Sequence, residues 1–151
     1  MRFVMYTEKT VPQAMRAINE RLHAPGTKSR PQLDGWVEKS GNFAIGVTTV
    51  VYGRFRRRTI LRGRAEREGG ITIVQGTVPG GLDRNHQRII LGIMILIGLL
   101  TLSQGNAILA IISVLAGAAL SIPLQGDYDN SEILLTELQR ALKARLTLPR
   151  N

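Results

Sequence analysis

Residues 89–124 read IILGIMILIGLLTLSQGNAILAIISVLAGAALSIPL, and no side chain in this stretch is charged. The polar segment Ser103-Gln104-Gly105-Asn106 divides it into two apolar arms. A bilayer core about 30 Å thick is crossed by roughly 20 helical residues, and the second arm is close to that length. The first arm reaches it if the helix extends through residues 84–88 and into Gln104. The stretch therefore predicts a helical hairpin that spans a membrane.

The hairpin has two alternative placements. A short first arm is also typical of a hairpin that dips into the bilayer or lies in its interface. A soluble protein could instead bury both arms, but a chain of 151 residues has too little other apolar surface to cover helices that are hydrophobic all round. The lengths of the two arms and the small size of the chain favour a spanning hairpin over both alternatives.

Basic residues flank the hairpin at its two ends but not at its turn. Arg84 and Arg88 precede the first arm, and three basic residues follow the second arm within residues 140–145. By the positive-inside rule, both termini are expected on the cytoplasmic side of the membrane. Arg84, His86 and Arg88 are expected to anchor the hairpin at the interface, where arginine side chains extend towards the headgroups.

Small residues recur at four-residue spacing in the second arm, at Ser113, Gly117 and Ser121. Such a stripe allows two helix backbones to approach closely. We expect this stripe to pack on the first arm of the same hairpin. Docking onto a helix of another protein is the alternative.

The charge of the chain is unevenly placed. Residues 1–88 hold 16 of the 20 basic side chains and 7 of the 11 acidic ones, which accounts for the whole net charge of +9. The basic half is thus the half that would meet the membrane surface. The sequence contains no cysteine, which excludes disulfides, thiolate catalysis and zinc–thiolate sites.

The segment before the hairpin has the pattern of a small α+β domain. Thr10 and Gln13 form a capping box at the start of a helix. Alternating and β-branched segments bounded by glycine, proline and asparagine predict strands. The predicted strands are 2–7, 33–38, 43–52, 57–66 and 71–78, and the apolar stripe of the helix is Val11, Ala14, Met15, Ile18 and Leu22.

After the hairpin, residues 126–130 are predicted to form a loop, and Asp129 or Ser131 to cap a last amphipathic helix. Its apolar stripe is Leu135, Leu138, Leu142 and Leu146, with Glu137, Arg140 and Lys143 on the opposite face. The predicted fold is α+β: a small antiparallel sheet packed with an N-terminal and a C-terminal helix, and a transmembrane hairpin inserted before the last helix. The predicted units are 1–84, 85–125 and 126–151.

This order of elements is similar to a reduced START-like (helix-grip) domain. The segments RRTILRG at 57–63 and EGGITIVQG at 68–76 resemble a group of uncharacterised bacterial proteins that pair such a meander with two membrane helices. The resemblance implies a location in the bacterial cytoplasmic membrane. It carries no functional residue over to this sequence.

A basic run forms the candidate site. With a strand period of two, Arg54, Arg56 and Arg58 share one face, and Arg62 and Arg64 share a face. If the two faces coincide, the sheet carries a guanidinium patch near the membrane, where each basic residue gains about 1 kcal/mol from anionic headgroups. The patch would bind anionic lipid or a partner protein. The alternative is a solvated strand face whose charges prevent edge-to-edge aggregation.

Other chemistry has little support in the sequence. Neither His23 nor His86 has a second ligand at a metal-binding spacing. The Asp127-x-Asp129-x-Ser131 pattern lacks the glycine and the glutamate that a calcium loop requires. No phosphate-binding loop and no nucleic-acid-binding motif is present. We therefore predict no metal, no cofactor, no catalytic residue and no nucleic-acid partner.

These patterns lead to two functional hypotheses. The first is a non-catalytic, membrane-anchored accessory or assembly subunit that binds other membrane protein subunits. The second is a module that binds or senses anionic lipid on the cytoplasmic membrane surface. An enzyme ranks third, because no nucleophile, base and orienting group can be assembled from the sequence.

Overall fold

The computed structural model describes residues 1–27 and 29–147, without the side chains of Tyr52, Arg84, Ser121, Ile122 and Pro123. The described chain is α+β, with a five-stranded antiparallel sheet and three helices, which confirms the predicted class. The elements are β1 (Arg2–Thr7), α1 (Val11–His23), β2 (Leu33–Val37), β3 (Asn42–Tyr52), β4 (Phe55–Glu68), β5 (Ile71–Thr77), α2 (Arg84–Ser103) and α3 (Ala107–Leu142).

The sheet has the strand order β1-β5-β4-β3-β2, and every neighbouring pair is antiparallel. Strands β2 to β5 form a meander, and β1 pairs with β5 at the far edge. Helix α1 carries the chain across the sheet from the β1 edge to the β2 edge. It starts at the predicted capping box, where the Thr10 hydroxyl accepts from the Gln13 amide and the Gln13 side chain accepts from the Thr10 amide.

One face of the sheet is covered by α1 and by the C-terminal half of α3. Side chains alternate along the strands, so every second residue enters the core between the sheet and these helices. Four of the five predicted stripe residues of α1 are buried there. The largest fully buried side chains are those of Met5, Ile18, Phe43, Leu61, Leu134, Leu138 and Leu142.

The predicted loop at residues 126–130 is wrong. Helix α3 continues without interruption from the apolar arm to Leu142, so the predicted boundary between 125 and 126 lies inside one helix. Gly126 allows close packing here, since a Cβ atom at this position would lie 2.5 Å from Val51 Cγ2. Neither Asp129 nor Ser131 caps a helix, because both lie inside α3, and the Ser131 hydroxyl lies within hydrogen-bond distance of the carbonyls of Pro79 and Asp127. Leu146 lies beyond the end of α3 and is exposed.

Helices α2 and α3 pack along each other. The window 85–103 has a mean hydropathy of 1.7, and the most apolar window of α3 has a value of 2.4. Only 6% and 13% of these windows are buried inside the protein, unlike the core helix of a soluble domain. By length and composition, both helices are candidates for crossing a membrane.

Candidate interaction surface

The arginines of β4 lie on one face of the sheet. Thr59, Leu61 and Ala65 point towards the helices and are buried, so the even-numbered residues of β4 point the other way. We call this second side of the sheet, opposite α1 and α3, the open face. It carries four of the five predicted site residues, namely Arg56, Arg58, Arg62 and Arg64. Arg54 is not on a strand, because it lies in the turn between β3 and β4.

The open face extends across neighbouring strands. Arg62 is aligned with Ala44 of β3, and Ala44 is aligned with Trp36 of β2. The Trp36 side chain is half exposed. This part of the open face therefore presents an aromatic ring and a guanidinium group on the two sides of Ala44.

The open face has an excess of positive charge. Arg58 pairs with Asp34 at 2.8 Å and Arg64 pairs with Glu66 at 2.8 Å, and all four side chains are at least half exposed. Exposed pairs of this kind hold their partners weakly. Arg56 and Arg62 make no ion pair within the described part of the chain. The sequence contains no acidic residue between Glu38 and Glu66, so β3 and most of β4 contribute only basic charge to this face.

Arg57 points to the opposite side and binds α3. Its Nη2 and Nε atoms donate to the two carboxylate oxygens of Asp127 at 2.6 and 2.9 Å, and the Thr59 hydroxyl donates to the same group at 2.8 Å. Burial alone would raise the pKa of Asp127, but the hydrogen bonds from Arg57 and Thr59 outweigh it and lower this pKa. Asp127 therefore ties the helix to the sheet and is not part of a capping or calcium-binding loop.

Asn130 makes a second tie between α3 and the sheet. It is fully buried, and its amide nitrogen donates to the Arg57 carbonyl at 3.0 Å and to the Thr59 hydroxyl at 3.1 Å. The Thr49 hydroxyl donates to its amide oxygen at 2.5 Å. Sequence analysis missed this role. The available signal was the spacing of Asp127, Asn130 and Ser131, which places all three on one face of a continuous helix.

A third tie joins α1, the loop after it and α3. Arg21 Nε and Arg30 Nη2 each donate to Glu137 Oε2 at 2.6 Å. Arg21 also donates to the carbonyl of Pro31 at 2.7 Å. Glu137 was predicted to lie opposite the apolar stripe of the last helix, yet its side chain is only 4% exposed, because the two arginines and the loop after α1 cover it.

Acid is expected to destabilise the protein through these two carboxylates. Burial alone would raise the pKa of Glu137, but hydrogen bonds from Arg30 and Arg21 hold it below its usual value. Both pKa values are lowered on folding, so the stabilisation is complete above the unfolded values of about 4. It is lost as the pH falls through the lower folded values. The melting temperature should therefore drop steeply below about pH 4, and Glu137→Gln should flatten that drop. An equally steep drop in the variant would contradict this assignment.

The core between the sheet and its helices leaves no room for a ligand where Ile18, Leu33, Ile45 and Leu138 meet, since the gap there is too small for a water molecule. Within residues 1–27 and 29–147, no group of three or more His, Cys, Asp or Glu side chains is placed to hold a metal ion. The open face carries the predicted basic residues and is the candidate interaction surface.

Gly117 packs against α2. A Cβ atom at Gly117 would lie 2.8 Å from Met94 Cβ, so the helix faces the first arm at this position. Ser113 donates within its own helix, to the Leu109 carbonyl at 2.9 Å. The side chain of Ser121, the third residue of the stripe, lies outside the described part of the chain.

Two of the three predicted interfacial anchors are described in full, and both are exposed at the start of α2. His86 Nδ1 lies 2.7 Å from Asp83 Oδ1, and Asp83 also caps the helix by accepting from the His86 amide. Arg88 follows one half-turn later and is exposed. The side chain of Arg84 is not described.

Comparison with protein-family models, curated proteins and solved structures finds no match to this chain, so the START-like resemblance stays a prediction.

Proposed function

We propose that this chain is a non-catalytic accessory subunit, held in the bacterial cytoplasmic membrane by a two-helix hairpin and bound to an acidic partner protein through its open face. The observation that carries the proposal is the open face itself. At the end away from the membrane hairpin it presents Arg62, which has no ion pair in the described residues, and the half-exposed side chain of Trp36 on the other side of Ala44.

The hairpin is supported by the way the two apolar helices meet the domain. The Leu82 amide donates to the Leu124 carbonyl at 3.2 Å, so the start of α2 lies beside the end of the apolar part of α3. The 20 residues of α2 extend for about 30 Å, which matches a bilayer core. The hairpin then returns to the side from which it left. The positive-inside rule places that side, and both termini, in the cytoplasm.

The length of β4 favours a protein partner over the bilayer for most of the open face. Arg56 and Arg64 are eight positions apart on one strand, a separation of roughly 26 Å. A bilayer that holds the hairpin cannot reach both ends of a strand that extends away from it. The end of the open face away from the membrane hairpin carries Trp36 and Arg62, and tryptophan and arginine are residue types that dominate binding energy at protein interfaces. Charge complementarity makes the partner surface acidic.

The titratable groups of the interior have structural roles. Asp127 and Glu137 are fully engaged by Arg57, Arg21 and Arg30, and each joins α3 to another element. Neither is held in a state that suits proton transfer near neutral pH, because both pKa values are lowered. This supports an accessory role without chemistry of its own.

Charge reversal on the open face tests the proposal. The full chain is extracted from native membranes in mild detergent, and its assemblies are separated on native gels and identified by mass spectrometry of protein and lipid. We expect a stoichiometric complex with an acidic protein subunit, and we expect Arg62→Glu to weaken its assembly at least about tenfold.

The matched control is Arg16→Glu, which makes the same charge change on the outer surface of α1, where the side chain is 82% exposed. It should leave assembly unchanged. Equal loss in both variants, or a small band that contains the chain and a defined lipid but no protein partner, would overturn the proposal. The second of these results would favour the anionic-lipid module instead.

A further inference from the structure

We propose that the tip of the β3–β4 hairpin, residues 50–56, binds the anionic surface of the bilayer beside the membrane hairpin. This inference rests on the proposed membrane hairpin and adds a second point of contact with lipid. It assigns Arg54 and Arg56 to lipid headgroups and leaves the far end of the open face to the protein partner.

The position of the tip follows from two contacts with α3. Asn130 contacts Thr49 of β3, and Gly126 contacts Val51 of the same strand. Four helical residues rise about 6 Å, and two strand residues advance by about 6.6 Å. The two contacts are therefore separated by the same distance along the strand and along the helix, so β3 runs alongside α3 in the opposite direction. These contacts lie at the end of the domain nearest the apolar arm.

The tip continues beyond these contacts to Gly53. This adds two more strand residues, or roughly 7 Å, which corresponds to between four and five residues of α3. The tip thus reaches the level of residues 121–122 of the helix. The apolar stretch of α3 extends to Leu124, so the tip overlaps its end. The start of α2 lies at the same level, because Leu82 binds Leu124.

The chemistry of the tip suits an interface between headgroups and acyl chains. Val50 is 59% exposed and Phe55 is 48% exposed, although each is a large apolar side chain. Arg54 and Arg56 are exposed beside them. Aromatic side chains accumulate at the membrane interface, and basic residues close to the surface are attracted to anionic lipids. Apolar and basic residues at one tip indicate a lipid surface more directly than an acidic protein surface.

The single tryptophan of the sequence provides the test. The full chain is placed in nanodiscs that contain phosphatidylglycerol and lipids brominated near the headgroup end of the acyl chain. Phe55→Trp is combined with Trp36→Phe, so the only fluorophore is at the tip. Wild-type Trp36 is the matched distal control, because it is aligned with Ala44, roughly 26 Å along β3 from the tip. Leu100→Trp with Trp36→Phe reports on insertion of the hairpin.

We expect the bromolipids to quench tryptophan at position 55 several-fold more strongly than Trp36. We also expect that quenching to fall several-fold after Arg54→Gln with Arg56→Gln, or without phosphatidylglycerol. Quenching at position 100 with none above the Trp36 level at position 55 would overturn the tip proposal alone. If quenching at position 55 is the same after the arginine substitutions and without phosphatidylglycerol, the tip does not recognise anionic headgroups, and that part of the proposal is overturned. Absence of quenching at position 100 would overturn the membrane hairpin, and the tip proposal with it.

Discussion

Replacing Glu137 with glutamine is expected to destabilise the protein by about 3–5 kcal/mol. The Arg21 side chain is 8% exposed, and Glu137 is the only carboxylate within salt-bridge distance of it in the described residues. The substitution preserves the shape of the side chain but leaves the buried guanidinium without a countercharge. It also removes the charge that orders Arg30 at the loop after α1. Thermal unfolding in mild detergent, followed by Trp36 fluorescence, measures the change.

Glu20→Gln is the matched control for Glu137→Gln. Glu20 also pairs with an arginine, Arg16, but the two side chains are 66% and 82% exposed. An exposed pair of this kind contributes little, so the melting temperature should barely change. If the two substitutions lower the melting temperature equally, the buried ion pairs of Glu137 stabilise the protein no more than the exposed pair of Glu20 does.

Gly81→Ala is expected to destabilise the protein by roughly 2–5 kcal/mol. Gly81 has a φ of +58°, a conformation that residues with a Cβ atom rarely adopt. A Cβ atom there would collide with the amide nitrogen of Tyr128 and would lie 2.5 Å from the carbonyl oxygen of Leu124. Both are backbone atoms of α3, so neither can rotate away. The same unfolding measurement reports the loss.

The neighbouring glycine provides the control for this prediction. A Cβ atom at Gly80 would lie no closer than 3.6 Å to any other group, its nearest neighbour being the Met1 nitrogen. Gly80→Ala should therefore leave the melting temperature close to that of the unmodified protein. A Gly81→Ala variant as stable as Gly80→Ala would show that the connection into α2 does not pack tightly against α3.

Local patterns predicted most of the fold because local physics determines those elements. The capping box at Thr10 and Gln13 acts within four residues, and the strand period of two places Arg56, Arg58, Arg62 and Arg64 on one face. Arg54 was grouped with Arg56 and Arg58 only because the period of two was extended back from the strand to residue 54. In the structure the turn interrupts that period before Phe55.

The errors lie where distant partners override local preference. Gly126, Asp127 and Asn130 are residues typical of turns, because their side chains bind nearby backbone or, for glycine, are absent. In the structure, Arg57 and Thr59 satisfy these polar groups from β4, and the backbone remains helical. Glu137 was placed opposite the apolar stripe from the helical period alone. Its partner Arg21 is 116 positions away, and no helical period reveals that pairing.

The central claim is that α2 and the first half of α3 cross the membrane as a hairpin, with the sheet domain on the cytoplasmic side. The chain contains no cysteine, so Gln104→Cys in the turn between the helices and Ser40→Cys in the turn before β3 each introduce a single thiol. Both positions are exposed. A membrane-impermeant maleimide applied to bacterial spheroplasts should label position 104 directly and position 40 only after permeabilisation. Protection of position 104 until permeabilisation, or direct labelling of position 40, would contradict the account.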